Sequence, residues 1–191
     1  RTTRVAGKIG QAIEFDGVSG YAWTEPIAEK LGIGGKNSRT LSFWIWLNAF
    51  QPNEKAGAYG YGHFSNFDGT DRFWGIRNLT DGSFSSFVSD HYGWSFSTPH
   101  SLELRNNWNH FAHTFDGVEV SLFLNGIFSA SESRSSINTG DIEPLMIGRS
   151  SKDTNTYLSG RIDDFRIYNE KLTPLEISQL ASADDIYSES I

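Results

Sequence analysis

Trp108-Asn109-His110-Phe111-Ala112-His113-Thr114-Phe115, stopped by Asp116-Gly117, leads into Val118-Glu119-Val120-Ser121-Leu122-Phe123-Leu124, then Asn125-Gly126, then Ile127-Phe128-Ser129-Ala130. Short apolar and aromatic runs cut by such pairs predict consecutive antiparallel strands. Asn-Gly tolerates the two positive φ angles of a type I′ turn, so 118–124 and 127–130 form a hairpin. Three adjoining strands of this kind point to an all-β domain.

The same punctuation extends in both directions, with Gly, Asn and Asp recurring every eight to twelve residues or so. Strands are predicted over 12–15, 21–24, 59–67, 72–79, 83–89, 92–97, 145–147 and 160–168. In 40–47, Leu41, Phe43, Ile45 and Leu47 share one face, with Ser42, Trp44 and Trp46 on the other. That period of two predicts a strand with both faces partly covered. One helix closes the pattern. Thr173 is its N-cap, Pro174 its first residue and Glu176 the partner in a capping box, with Leu172 and Ile177 as a hydrophobic staple. Residues 1–183 are expected to form one domain, and 184–191 a tail or a linker to another module.

Composition narrows the function. The chain has 191 residues, 38% hydrophobic and 14% aromatic, enough for a wide core between sheets. Its formal charge of −7 disfavours nucleic acid as a partner. It has no cysteine, which removes disulfides, thiolate metal sites and a cysteine nucleophile. No apolar run reaches 18 residues, so no membrane insertion is expected. No internal repeat is evident.

Gly7-Lys8-Ile9-Gly10-Gln11-Ala12-Ile13-Glu14-Phe15-Asp16-Gly17 resembles the opening of bacterial laminin-G-like, concanavalin A-like modules. The 108–117 strand and the 120–126 hairpin are similar to their central strands. Leu145-Met146-Ile147-Gly148-Arg149 and Gly160-Arg161-Ile162-Asp163-Asp164-Phe165-Arg166-Ile167-Tyr168 look like the closing ones, and 172–177 like the terminal helix. These pieces stand in the family's order over about 7–182, with a divergent middle over 50–100. The resemblance implies a two-sheet antiparallel jelly roll with one short C-terminal helix. It also implies a module of a larger secreted or cell-surface bacterial protein; the one-domain size and the lack of a coiled coil make a monomer the default expectation. The fold hosts lectins, adhesion modules, spacers and glycan-cleaving enzymes, so function has to come from sites.

Two sites are candidates. In similar modules the aspartate of the first turn meets the first aspartate of the closing strand around calcium; here those are Asp16 and Asp163, with Ser19 between the turn glycines. Such oxygen donors suit a hard cation, although Ser19 stands where relatives often carry an acid or Asn. The alternative is that Asp16 caps a turn and Asp163 pairs with an arginine. The second site is a sugar surface in the divergent middle, built from Tyr61, Arg72, Trp74, Arg77, Tyr92 and Trp94. Aromatic rings suit the apolar face of a sugar, and planar polar groups suit its hydroxyls.

No catalytic residue is assigned. Asp163 and Asp164 are adjacent on a strand and point apart, and the Glu-x-Asp-x-Glu triplet of related hydrolases is absent. His110 and His113 differ by an odd number and cannot share one metal. No Gly-x-Ser-x-Gly elbow occurs. The sequence therefore reads as a non-catalytic, glycan-binding or adhesive module. The alternatives are a spacer stiffened by calcium or, less favoured, a polysaccharide-cleaving enzyme.

Overall fold

The computed structural model describes residues 1–48, 55–63, 72–79, 84–88, 94–97, 104–140, 144–149 and 156–182. The strands are β1 (Thr2–Ala6), β2 (Gln11–Asp16), β3 (Ala22–Trp23), β4 (Arg39–Leu47), β5 (Lys55–His63), β6 (Arg72–Leu79), β7 (Phe84–Val88), β8 (Trp94–Ser97), β9 (Trp108–Phe115), β10 (Glu119–Leu124), β11 (Ile127–Ser133), β12 (Met146–Ile147) and β13 (Ser159–Tyr168). The helices are α1 (Ala28–Leu31) and α2 (Pro174–Ala181). A seven-stranded sheet has the order β1-β2-β13-β4-β9-β10-β11, and a six-stranded sheet the order β3-β12-β5-β6-β7-β8. Neighbouring strands run antiparallel, as expected of a jelly roll.

Alternation puts Leu41, Phe43, Ile45 and Leu47 of β4 between the sheets, all essentially buried. Phe43 stacks on Phe111 and Phe165 and meets Tyr59 of the opposite sheet edge-on. The outer face of β4 is covered in part. Trp44 is buried beneath Lys8, whose ammonium lies 5.1 Å from the ring. The hairpin turn has Asn125 and Gly126 at φ 51° and 79°, with Leu124 opposite Ile127. The capping box of α2 is complete, and Leu172 and Ile177 seat the helix on Ala112 and Phe123.

Two elements were not anticipated. β1 is an edge strand with almost every residue exposed, so it lacks the apolar alternation that marks the others. The four-residue α1 has no side-chain cap at its N-terminus; Gly32, at φ 68°, closes its other end.

The core also holds a polar stack. Arg39 is fully buried, and its guanidinium donates to the carbonyls of Ile33, Gly35 and Asn37 and to Thr139 Oγ1. It lies 4.2 Å from the Trp74 ring, and His113 stacks on that ring at 4.1 Å. His113 Nδ1 is 2.6 Å from the Tyr59 hydroxyl and Nε2 is 2.9 Å from Ser86 Oγ. On the outer face, His110 Nε2 is 2.8 Å from Ser42 Oγ.

Burial lowers the pKa of both imidazoles, His110 to about 4, and the charge of Arg39 lowers His113 further. In the unfolded chain both titrate near 6.5. As pH falls below 6.5 the unfolded chain takes up protons that the folded chain refuses, so stability is complete above 6.5 and declines toward pH 4. The expected loss from His110 alone is on the order of 3 kcal/mol across that window. Carboxylates such as Asp116, held at about 2 against burial by Lys171 and the backbone N–H groups of Glu119 and Val118, weaken folding only at lower pH. Melting temperatures at pH 7 and pH 5 should therefore differ, and His110→Gln should shrink the difference. A melt independent of pH over this range would contradict neutral buried histidines.

Candidate functional site

Asp16 ends β2 and turns the chain. Its Oδ1 accepts from the backbone N–H groups of Val18, Ser19 and Gly20, each at 2.9 Å. Its Oδ2 accepts from Ser19 Oγ at 3.2 Å. Burial acts to raise its pKa, and the three backbone N–H groups of its own turn act to lower it. Asp16 is thus a turn cap whose oxygens already face hydrogen-bond donors.

Asp163 does a different job. It is buried, and its oxygens accept from Ile9 N at 2.8 Å and from Asp164 N at 2.8 Å. It staples the 7–10 turn to β13. Gly7 is required there, because a Cβ would run into Asp163 Oδ2 and stand 2.9 Å from Ala12 N. The arginine pairing falls instead to Asp164, which sits at φ 47° in a bulge and holds Arg166 Nε at 2.9 Å through both oxygens.

The expected meeting of Asp16, Ser19 and Asp163 around calcium does not occur. Asp16 pairs with Ser159 and Ile13 with Ile162, so Asp163 lies four residues further along, about 13 Å away at 3.3 Å per residue. Among the described residues no group of three His, Asp or Glu side chains is placed to hold a metal ion. Asp16 and Asp163 are not placed to ligate one cation together.

The expected sugar surface is also corrected in part. Tyr61 and Trp74 are 1% and 0% exposed and point into the core, where the Tyr61 hydroxyl donates to Ile33 O and Trp74 Nε1 donates to Tyr59 Oη. Their strand parity is set by packing between the sheets. Arg72, Arg77 and Trp94 lie on β6 and β8, with side chains outside the described residues; Tyr92 lies outside them altogether.

Among the described residues two aromatics are exposed, Trp23 on β3 at 58% and Phe128 on β11 at 55%. Trp23 faces outward from the six-stranded sheet and pairs with Met146, which pairs with Gly60, which pairs with Gly75. Gly60 alternates with the buried Tyr59 and Tyr61, and Gly75 with the buried Trp74 and Ile76, yet both glycines are themselves buried, so exposure in this row is confined to its edge at Trp23 and, in part, Met146. The Arg149 guanidinium lies 5.1 Å from the Tyr21 ring and 5.7 Å from the Tyr157 ring, a cation set against two aromatic rings. Sequence reasoning missed Trp23 because a two-residue strand carries no periodicity.

A family model described as the concanavalin A-like lectin/glucanases superfamily, of laminin G type, matches residues 16–178. No curated protein matches the chain. Among solved structures, the binding domain of Paraclostridial Mosquitocidal Protein 1 is similar at 20% identity and TM-score 0.72, over 94% of this chain and 45% of that one. The chain thus spans less than half of that structure's length. Domain 4 of AbnA, a GH43 extracellular arabinanase from Geobacillus stearothermophilus solved with arabinotriose, is similar at 19% identity and TM-score 0.71, over 95% and 82%. The Ruminococcus gnavus IT-sialidase CBM40 bound to α2,3-sialyllactose follows at 14% identity and TM-score 0.64, over 88% and 97%. Identities this low carry the fold.

The melting temperature is expected to be the same in calcium and in EDTA. Asp16→Ala should lower stability by about 1 kcal/mol, the scale of a lost cap, in either condition. A calcium-dependent rise that Asp16→Ala abolishes would show that Asp16 is a ligand after all.

Proposed function

Because the chain belongs to the concanavalin A-like lectin/glucanases superfamily, we propose that it is a non-catalytic carbohydrate-binding module of a larger secreted or cell-surface protein. The observation that carries this reading is Trp23, a 58% exposed indole on the edge strand of the six-stranded sheet. An exposed indole offers a flat apolar surface, and a sugar ring presents an apolar face that can lie against it.

Three features support the wider reading. The similar structures include a toxin's binding domain, an arabinanase domain with arabinotriose and a carbohydrate-binding module with sialyllactose. Among the described residues no helix is long and apolar enough to cross a membrane. The carboxylates that share one face of β2 are not poised for acid–base work. Glu14 is paired with Arg161 Nε at 2.9 Å, and Asp16 is held ionised by its turn. A general acid for glycoside cleavage needs a raised pKa instead.

The test is a glycan panel with neutral arabinans, other plant and bacterial polysaccharides and sialylated oligosaccharides, followed by calorimetry on the hits. Trp23→Ala should weaken binding at least tenfold, about 1.4 kcal/mol, while leaving the melting temperature within a degree or two, since little of the ring is buried. Absence of binding across the panel, or binding unaffected by Trp23→Ala, would sink the reading or the site respectively.

A further inference from the structure

The outer face of the seven-stranded sheet carries a second arrangement, on the side of the molecule opposite Trp23. Strand pairing lines up Glu14 of β2, Arg161 of β13, Trp46 of β4 and Trp108 of β9 in one row. Asp16, Ser159 and Asn48 form the next row, with Ser159 opposite Asp16 and Asn48 Nδ2 donating to Ser159 Oγ at 3.1 Å. These residues alternate with the buried Phe15, Ile162, Ile45 and Leu47, which fixes them on the outside.

Much of this face is closed. Leu172 and Ile177 pack over Ala112 and Phe123, and Lys8 lies over Trp44. The Glu14–Trp108 row stays accessible. Trp46 and Trp108 are half-buried and meet edge to face at 5.9 Å. Arg161, one-third exposed, is held by Glu14 and lies 5.6 Å from the Trp46 ring. Next to the row opens a pocket of about 360 Å³, lined by Thr3, Glu14, Asp16, Asn48 and Ser159 together with Arg1. That volume is at the small end of small-molecule sites and excludes a helix or strand of a partner.

The donor set selects the occupant. Carboxylates accept, the Asn48 amide and the two hydroxyls both donate and accept, and the guanidinium donates. Glu14 and Asp16 oppose an anion, and Arg161 opposes a cation. A neutral, polyhydroxylated ring meets neither penalty and can lay its apolar face against the indoles. We infer that this pocket and the Trp46–Trp108 row form a second glycan subsite, taking a neutral sugar. The inference rests on the reading of the chain as a carbohydrate-binding module. It adds that the module holds glycan on both sheets and can bridge two strands of a polysaccharide, where linked contacts multiply affinity.

The experiment is a titration of the ¹⁵N-labelled full chain with maltotriose, xylotriose and arabinotriose, following the tryptophan indole N–H signals, with calorimetric stoichiometry alongside. Assignment uses Trp23→Ala, Trp46→Ala and Trp108→Ala. At least one trisaccharide should shift Trp46 and Trp108, and these shifts should survive Trp23→Ala. Asn48→Ala, which leaves both indoles in place, should weaken that response at least tenfold and serves if Trp46→Ala proves unstable. Shifts confined to Trp23 and a stoichiometry of one would overturn the second subsite while leaving the module's function intact. No shift at any indole, with no binding anywhere on the glycan panel, would remove both.

Discussion

A buried positive charge with no carboxylate among its hydrogen-bond partners organises this sandwich. Arg39 sits at the start of a central strand, and its two terminal nitrogens donate to three carbonyls and one hydroxyl while the guanidinium lies against the faces of Trp74 and Phe115; its buried Nε–H has no hydrogen-bond partner among the described residues. Burying a charge is tolerable only when most of its donors are met, so the loops carrying Ile33, Gly35, Asn37 and Thr139 are fixed by that requirement. The isolated bridge between Gly35 and Thr139 joins the same two loops. Through Trp74 the charge also reaches His113, and one buried cation excludes a second beside it. The hydrogen bonds from His113 to Tyr59 and Ser86 then tie the two sheets together across the core.

Much of the fold was legible because its signals are local. Alternation in 40–47, the Asn125-Gly126 turn and the Thr173–Glu176 box each act within a few residues, and each appears as read. β1 was not legible because an exposed edge strand has no face to bury. The candidate sites were less legible because they depend on register and parity. Whether Asp16 meets Asp163 is decided by how β2 slides against β13, and a shift of that kind leaves no trace in either strand. Trp74 was read with the correct alternation but assigned to the wrong side, because the period of two does not say which face is inside. Trp46 shows the reverse. Its separation from the face of Leu41, Phe43, Ile45 and Leu47 is legible in β4, but its place in a row requires β13 and β9 beside it.

The two aspartates that the resemblance singles out therefore serve architecture in this chain. Asp16 gathers three N–H groups of its own turn, and Asp163 gathers one from Ile9 and one from Asp164. Both do with donor groups what a cation does in a loop of free carbonyls.

The order of strands in the larger sheet has a further consequence for how the chain is made. β13 lies between β2 and β4, yet 111 residues separate Leu47 from Ser159. At about 5–20 residues per second of synthesis, β2 and β4 wait roughly 5–25 s for the strand that joins them. During that interval each presents an unpaired edge, and the 7–10 turn lacks Asp163 to hold it. The sheet is completed by insertion from its far end in sequence, so the N-terminal strands are committed to their final neighbours only when nearly the whole domain has been synthesised.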